Sequence, residues 1–185
     1  MRKNFGVKTW AYPQPVFIVA TYNEDGTENA MTAAWGGITE ENEITICIDG
    51  NHKTADNLLK RKAFTVSMGE EGKLVGCDYI GIESGKNCND KFKKSGFSGI
   101  KSEFVDAPII KELHVCFECR MKSYDKQSCR LVGEIINVSV DEAALTDNLP
   151  DVKKFKPVIY DPATHDYYSF GAKVGKAFTD GKTLK

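Results

Sequence analysis

Apolar residues fall mainly into short runs with the composition or spacing of β-strands. Residues 16–22 form a continuous, β-branched run that predicts a buried strand. Residues 43–49 alternate and place Ile44, Ile46 and Ile48 on one face, which predicts a half-buried strand. A further run at 63–68 and two longer segments at 113–121 and 129–140 predict three more strands.

Turn signals and short helical segments separate these strands. The Asp-Gly turn within residues 23–27 predicts that the next strand, beginning near Glu28, returns antiparallel, and further turns are expected at 125–128 and 161–166. Thr54 is a candidate N-cap for a helix over 55–61, and weaker helical segments are expected at 70–81, 89–97 and 141–145. Antiparallel strands with short helices predict a mainly β protein with a closed or split barrel. Without repeats or linkers, residues 1–185 should form a single domain.

One stretch, residues 29–37, differs from the other strands because it lacks charge and is rich in small residues. Small side chains let a flat ligand or another backbone approach closely. Asn29 and Thr32 offer short hydrogen-bonding groups, and Trp35 offers a broad apolar face. The stretch therefore suits either a planar ligand with a polar tail or tight packing within a small barrel.

A second candidate site follows at His52, Lys53 and Thr54, where the predicted helix begins. A helix start with a hydroxyl and a lysine beside it suits a phosphate, although an ordinary capped surface helix has the same pattern. Lys91 could also reach an anion, with a solvated charge run as the alternative.

Composition and charge exclude several classes of function. A net charge of −1 argues against a nucleic-acid partner, and no apolar run approaches the roughly 20 residues of a membrane-spanning helix. Met1, Arg2 and Lys3 lead into no apolar signal-peptide core, so we expect a cytoplasmic protein. No catalytic triad, phosphate-binding loop or convincing carboxylate pair occurs, which leaves catalytic residues unknown.

The six cysteines have no clear disulfide pattern. Cys116 and Cys119 have the spacing of a metal or redox pair, but they lie in a segment that alternates as a strand does. Residues three apart on a strand point to opposite faces, so we expect reduced, partly buried thiols and no metal site.

These features together resemble the flavin reductase-like, FMN-binding split-barrel family, which includes the flavoredoxins. The resemblance runs over nearly the whole chain, and its order and spacing are specific although no single motif is. It is carried by 13–15, the 29–37 stretch, Lys53 and Thr54 with their helix, Lys91 between Asp90 and Phe92, 107–108, 132–135, and the tyrosine-rich end with Gly171 and Gly175.

The resemblance implies that FMN is the cofactor and assigns residues to it. Its ring and ribityl chain would lie along Asn29, Ala30, Met31, Thr32, Ala33, Ala34 and Trp35. Its phosphate would be held by Lys53, Thr54 and Lys91, with His52 beside them, while Cys47 and Ile48 would supply wall and backbone contacts. A homodimer with flavin near the subunit interface is also implied.

The implied activity is oxidoreduction: electrons from NAD(P)H or a redox partner pass through FMN to free flavin, ferric iron or a protein. A non-catalytic electron carrier that docks to partner proteins is the alternative, and a split barrel that binds haem or another planar ligand is a third. Many relatives place a histidine in the turn near 126–130, where this chain has none. Direct use of NAD(P)H is therefore an open point of the resemblance.

Overall fold

The structure, a computed structural model, describes residues 1–184 and is built mainly from antiparallel strands. The strands are β1 Gln14–Pro15, β2 Phe17–Tyr22, β3 Glu28–Ala33, β4 Gly36–Glu40, β5 Glu43–Cys47, β6 Ala63–Met68, β7 Gly99–Lys101, β8 Pro108–Ile110, β9 Val115–Asp125, β10 Arg130–Val140, β11 Leu145–Thr146, β12 Leu149–Pro150, β13 Val158–Tyr160 and β14 Tyr167–Ser169. The α-helices are α1 Lys53–Arg61, α2 Leu74–Ile82, α3 Lys91–Lys94 and α4 Val152–Phe155. Short 3₁₀ turns cover Glu71–Lys73, Glu142–Ala144 and Asp180–Leu184.

Seven strands form one curled antiparallel sheet in the order β3-β2-β6-β9-β10-β5-β4. Its two edge strands, β3 and β4, are joined by only Ala34 and Trp35. Because so short a link cannot cross a flat sheet of seven strands, the sheet must curl until its edges meet. The backbone N–H of Cys47 donates to the carbonyl of Trp35 at 2.7 Å beside this junction. The predicted split barrel is confirmed.

The core has two layers because β2 is buried on both faces. Phe17 and Val19 face the barrel interior, where they join Ile44, Ile46 and Phe64. The alternate residues of β2 face outward and pack in a second cluster that includes Cys77 and Ile80 of α2 and Phe92 of α3. The continuous apolar run of this strand is thus explained by helices that cover the outside of the barrel.

Several predicted elements are confirmed, and one boundary is wrong. The strands expected at 16–22, 43–49, 63–68, 113–121 and 129–140 are present with shifts of a few residues at their ends. The predicted N-cap, Thr54, instead lies inside helix α1, which begins at Lys53 after His52. The Thr54 hydroxyl accepts a hydrogen bond from the Asn29 side-chain amide at 2.9 Å. The Thr54 hydroxyl therefore links α1 to β3 and does not cap the helix.

The segment expected to be weakly helical at 70–81 is divided in two. A 3₁₀ turn over Glu71–Lys73 precedes helix α2, which lies against β3. Gly81 permits this close approach, since a Cβ there would lie 3.0 Å from the Thr32 Cβ.

Within residues 1–184, the helices are all too short or too polar to span a membrane.

Candidate functional site

A groove between β3 and α2 contains two adjoining cavities that share Thr32 and Gly81. The aromatic cavity, of about 330 Å³, is lined by Val16, Thr32, Ala34, Trp35, Asp78, Gly81, Ile82, Tyr160 and Tyr167. The lysine cavity, of about 250 Å³, is lined by Met31, Thr32, His52, Lys53, Thr54, Ile80, Gly81, Glu83, Ser84, Gly85 and Lys91. The two cavities differ in chemistry and lie next to each other along β3 and the link that follows it.

The lysine cavity lies where helix α1 begins. Lys53 is the first residue of this nine-residue helix, whose N-terminus carries the positive end of the helix dipole. The loop after α2 closes the cavity through Gly85, where a Cβ would lie 2.5 Å from the Asn29 Oδ1 and 3.2 Å from the Lys53 Cβ. Only glycine fits this close approach. The cavity therefore combines a helix start with a lysine side chain, an arrangement suited to an anion.

Lys91 is buried at this cavity, so the interpretation as a solvated charge run is wrong for this residue, although Lys93 and Lys94 of the same segment are exposed. Its side chain is 4% exposed, and its Nζ donates to the backbone carbonyls of Ile80 at 3.1 Å and Glu83 at 2.9 Å. These carbonyls lie at the C-terminal end of α2, where a cation is favourable. Burial lowers the pKa of Lys91 to about 8, against the opposing effect of Glu83. Lys91 thus loses its charge under mildly alkaline conditions.

The aromatic cavity lies at the junction where the barrel closes. Trp35 is 42% exposed there and faces an opening that Tyr160 and Tyr167 also line. The Tyr167 hydroxyl donates to the Asp78 Oδ1 at 2.7 Å. Burial, followed by this hydrogen bond, raises the pKa of Tyr167, so the phenol keeps its proton. The cavity therefore offers flat apolar surfaces and one carboxylate.

The predicted site residues divide into those that line the groove and those that support it. Met31, Thr32, Ala34, Trp35, His52, Lys53, Thr54 and Lys91 line one or both cavities. Asn29 lies behind the lysine cavity and bonds to Thr54. Ala30, Ala33 and Ile48 are buried in the core, and Cys47 is exposed on β5. For all of the predicted site residues, contact with a cofactor stays a prediction.

Among the lining residues that were not predicted as site residues, Asp78, Tyr160 and Tyr167 are the polar ones of the aromatic cavity. Asp78 lies in α2, whose residues are mostly apolar and show no clear amphipathic pattern that would indicate a functional face. Tyr160 and Tyr167 are cross-strand neighbours on β13 and β14, which form a separate sheet with β1. The tyrosine-rich composition near residue 167 was the sequence feature that could have identified these residues. Only the tertiary structure places the two tyrosines in the same cavity as Thr32 of β3.

Cys116 and Cys119 are both buried in β9. Burial raises the pKa of each thiol to about 12, so both stay protonated. Cys119 packs in the barrel interior with Phe64 and Leu131. Among residues 1–184, no cluster of three or more histidine, cysteine or acidic side chains has the geometry of a metal site.

Comparison with known proteins assigns the chain to a family. The model of the flavin reductase-like domain matches residues 9–164. The chain belongs to the flavin reductase-like family. The match covers the lining of both cavities apart from Tyr167 of β14, so the groove lies largely within the family domain.

Solved structures of the flavin reductase-like family and its fold agree with this assignment. The flavoredoxin of Desulfovibrio vulgaris (Miyazaki F) is 38% identical, with 98% of this chain and 100% of that chain covered and a TM-score of 0.93. The flavoredoxin from Methanosarcina acetivorans is 25% identical, with complete coverage of both chains and a TM-score of 0.89. An FMN-binding domain of a flavin reductase-like enzyme from Shewanella baltica OS155 shares the fold at 17% identity, with 88% and 89% of the two chains covered and a TM-score of 0.79.

The titration of Lys91 generates a prediction about ligand binding. If the lysine cavity holds a phosphate, the affinity for FMN should fall as the pH rises through about 8, because the free protein then loses the Lys91 charge. Binding isotherms for FMN on either side of this pH measure the effect. Riboflavin, which lacks the phosphate, should show a much smaller change, and Lys91→Met should bind FMN weakly at both pH values. An FMN affinity that stays constant in the wild type would contradict a role for Lys91.

Proposed function

We propose that this protein binds FMN along the groove and uses it in electron transfer. The observation that carries the proposal is the adjacency of two cavities of opposite character along β3 and the two-residue link that follows it. Met31 of β3 lines the lysine cavity, and Trp35, two residues beyond the end of β3, lines the aromatic cavity. Four residues of extended chain span at most about 14 Å. FMN likewise has an anionic phosphate at one end of an extended chain and a planar ring at the other.

The residues of the groove fit FMN in specific ways. Lys53, Lys91 and the start of α1 would hold the phosphate. Thr32, which lines both cavities, lies where the ribityl chain would pass. Trp35, Tyr160 and Ala34 would contact the ring and exclude water from part of it. When bound, FMN supplies the capacity to accept and release two electrons.

We further propose that the protein is an oxidoreductase of the flavin reductase type, with NAD(P)H as donor and a flavin, ferric iron or a protein as acceptor. Similarity to flavoredoxins over the whole chain favours a second candidate, an electron carrier that exchanges electrons with partner proteins. The turn near 126–130, which lacks the histidine of many relatives, also favours the carrier. Both candidates use the same FMN site and differ in the electron donor.

Extended chain ends support the proposal that the protein is a homodimer. Residues 1–12 are exposed and carry Phe5, Val7 and Trp10, while Val174 and Phe178 are exposed near the other end. An apolar cavity of about 320 Å³, lined partly by Pro15, Phe117 and Phe155, is available to receive such side chains from a second copy. Sedimentation should therefore show twice the chain mass, and a species of 20.5 kDa at micromolar concentration would contradict the dimer.

The phosphate assignment can be tested with one substitution and a matched control. Lys53→Ala should weaken FMN binding about ten- to a hundredfold, because a charge-assisted hydrogen bond contributes about 1.5–3 kcal/mol. Riboflavin affinity should be nearly unchanged. Lys60→Ala removes a lysine from the last turn of the same helix, where it pairs with Glu24, and should leave both affinities unchanged. Thr54 is kept intact because its hydroxyl bonds to Asn29.

Equal losses of FMN and riboflavin in Lys53→Ala would show that the substitution acts through folding. No loss for either ligand would place the phosphate elsewhere. A wild-type protein that binds neither flavin, tested by reconstitution and absorption spectroscopy, would refute the proposed function itself.

The reductase and the carrier are distinguished by their electron donors. A reductase should oxidise NADH or NADPH continuously when excess free flavin is present as acceptor. A carrier should be reduced by a protein donor or a chemical reductant and show negligible oxidation of either nicotinamide. Stopped-flow reduction of the FMN-loaded protein by each donor measures the difference. Nicotinamide oxidation at the rate of free flavin alone would contradict the reductase proposal.

A further inference from the structure

Charge is distributed unequally between the two ends of the groove. At the lysine cavity, Lys53 and Lys91 are cationic side chains beside a helix N-terminus, and they outnumber the one acidic lining residue, Glu83. At the aromatic cavity, Asp78 is the one acidic or basic side chain, apart from the tyrosine phenols, among the lining residues that the structure describes. The end of the groove that suits a planar ring therefore carries a negative charge and has no adjoining cation in its lining.

Asp78 is held at this cavity by contacts on both sides. The residue before it, Cys77, accepts a hydrogen bond at its carbonyl from the Thr32 hydroxyl, which ties α2 to β3. Its carboxylate accepts from the Tyr167 hydroxyl at 2.7 Å. Tyr167 is itself fixed by its pairing with Tyr160 across β13 and β14. The phenol donates, so Asp78 acts as an acceptor, which is the role of an ionised carboxylate.

We propose that Asp78, positioned by Tyr167, lowers the reduction potential of the flavin bound in this groove. The inference rests on the proposed function, in which the ring of FMN lies in the aromatic cavity. Reduction adds two electrons and one proton to the ring, which then carries one more negative charge until a second proton is taken up. A nearby carboxylate disfavours that added charge in a partly dehydrated site. The electrons come from the nicotinamide or protein donor already proposed.

The two ends of the groove then control different properties. Lys53 and Lys91 act on the phosphate, whose charge is the same in oxidised and reduced FMN, so they change the affinity for both forms alike. Asp78 acts on the ring, whose charge changes on reduction, so it changes the ratio of the two affinities. Asp78 acts through its charge while Tyr167 positions it, and the reduction potential of the bound flavin measures that effect.

The experiment compares reduction potentials of FMN-loaded wild type and Asp78→Asn, measured by equilibration with redox dyes. We expect Asp78→Asn to favour the reduced form about tenfold, which corresponds to a rise of about 30 mV for a two-electron couple. Tyr167→Phe keeps the carboxylate but removes the hydrogen bond that positions it, so its potential should change less than that of Asp78→Asn. Asp147→Asn is the matched control, since Asp147 lines neither cavity and its positive φ of 51° suits asparagine equally well.

Each outcome is decisive. An unchanged or lowered potential in FMN-loaded Asp78→Asn would overturn the inference while leaving FMN binding intact. An equal rise in Tyr167→Phe would attribute the change to disturbed packing and would also overturn it. If Asp78→Asn does not retain FMN, Asp78→Ser provides a second neutral acceptor for Tyr167, with the same expected rise. Failure of the wild type to bind FMN would instead refute the proposed function.

Discussion

The structure depends on the closure of a seven-stranded sheet across two residues, Ala34 and Trp35. Three peptide units reach at most about 11 Å, so β3 and β4 must approach each other. At the end of this link, Gly36 lets β4 pack closely on β5, because a Cβ there would lie 2.6 Å from the Thr45 carbonyl oxygen. The uncharged, small-residue stretch at 29–37 therefore serves tight packing within a barrel. The same closure places Trp35 at the aromatic cavity, so the two interpretations of the stretch are compatible.

Closure also explains why the groove lies outside the barrel and not within it. The interior is filled by large apolar side chains such as Phe17, Ile46 and Phe64, which leave it packed as a core. A ligand must then lie on the outer face of β3, where α2 covers part of the strand. Because Trp35 and Asp78 are only partly buried, substitutions at these positions should cost the fold little compared with changes inside the barrel.

The sequence predicted what local patterns determine. Alternating isoleucines located β5, the Asp-Gly turn located the β2–β3 hairpin, and the basic residues after Thr54 located α1 to within two residues. The N-cap was wrong because Asn29, 25 positions away, bonds to the Thr54 hydroxyl. Lys91 lies among charged neighbours, so its burial became apparent only when two carbonyls of α2 were found to accept from it. Contacts between distant segments decided both cases.

Helix α2 connects the two ends of the groove, and this is the least predictable feature of the site. Asp78 in its middle faces the aromatic cavity, while the carbonyls at its C-terminal end accept from Lys91 at the lysine cavity. The Thr32 hydroxyl and the close approach of Gly81 hold the helix on β3 between these points. One short helix on one strand thus fixes the spacing between the negative and the positive end. A ligand that spans the groove must match that spacing, and this geometric requirement selects for length as well as for charge.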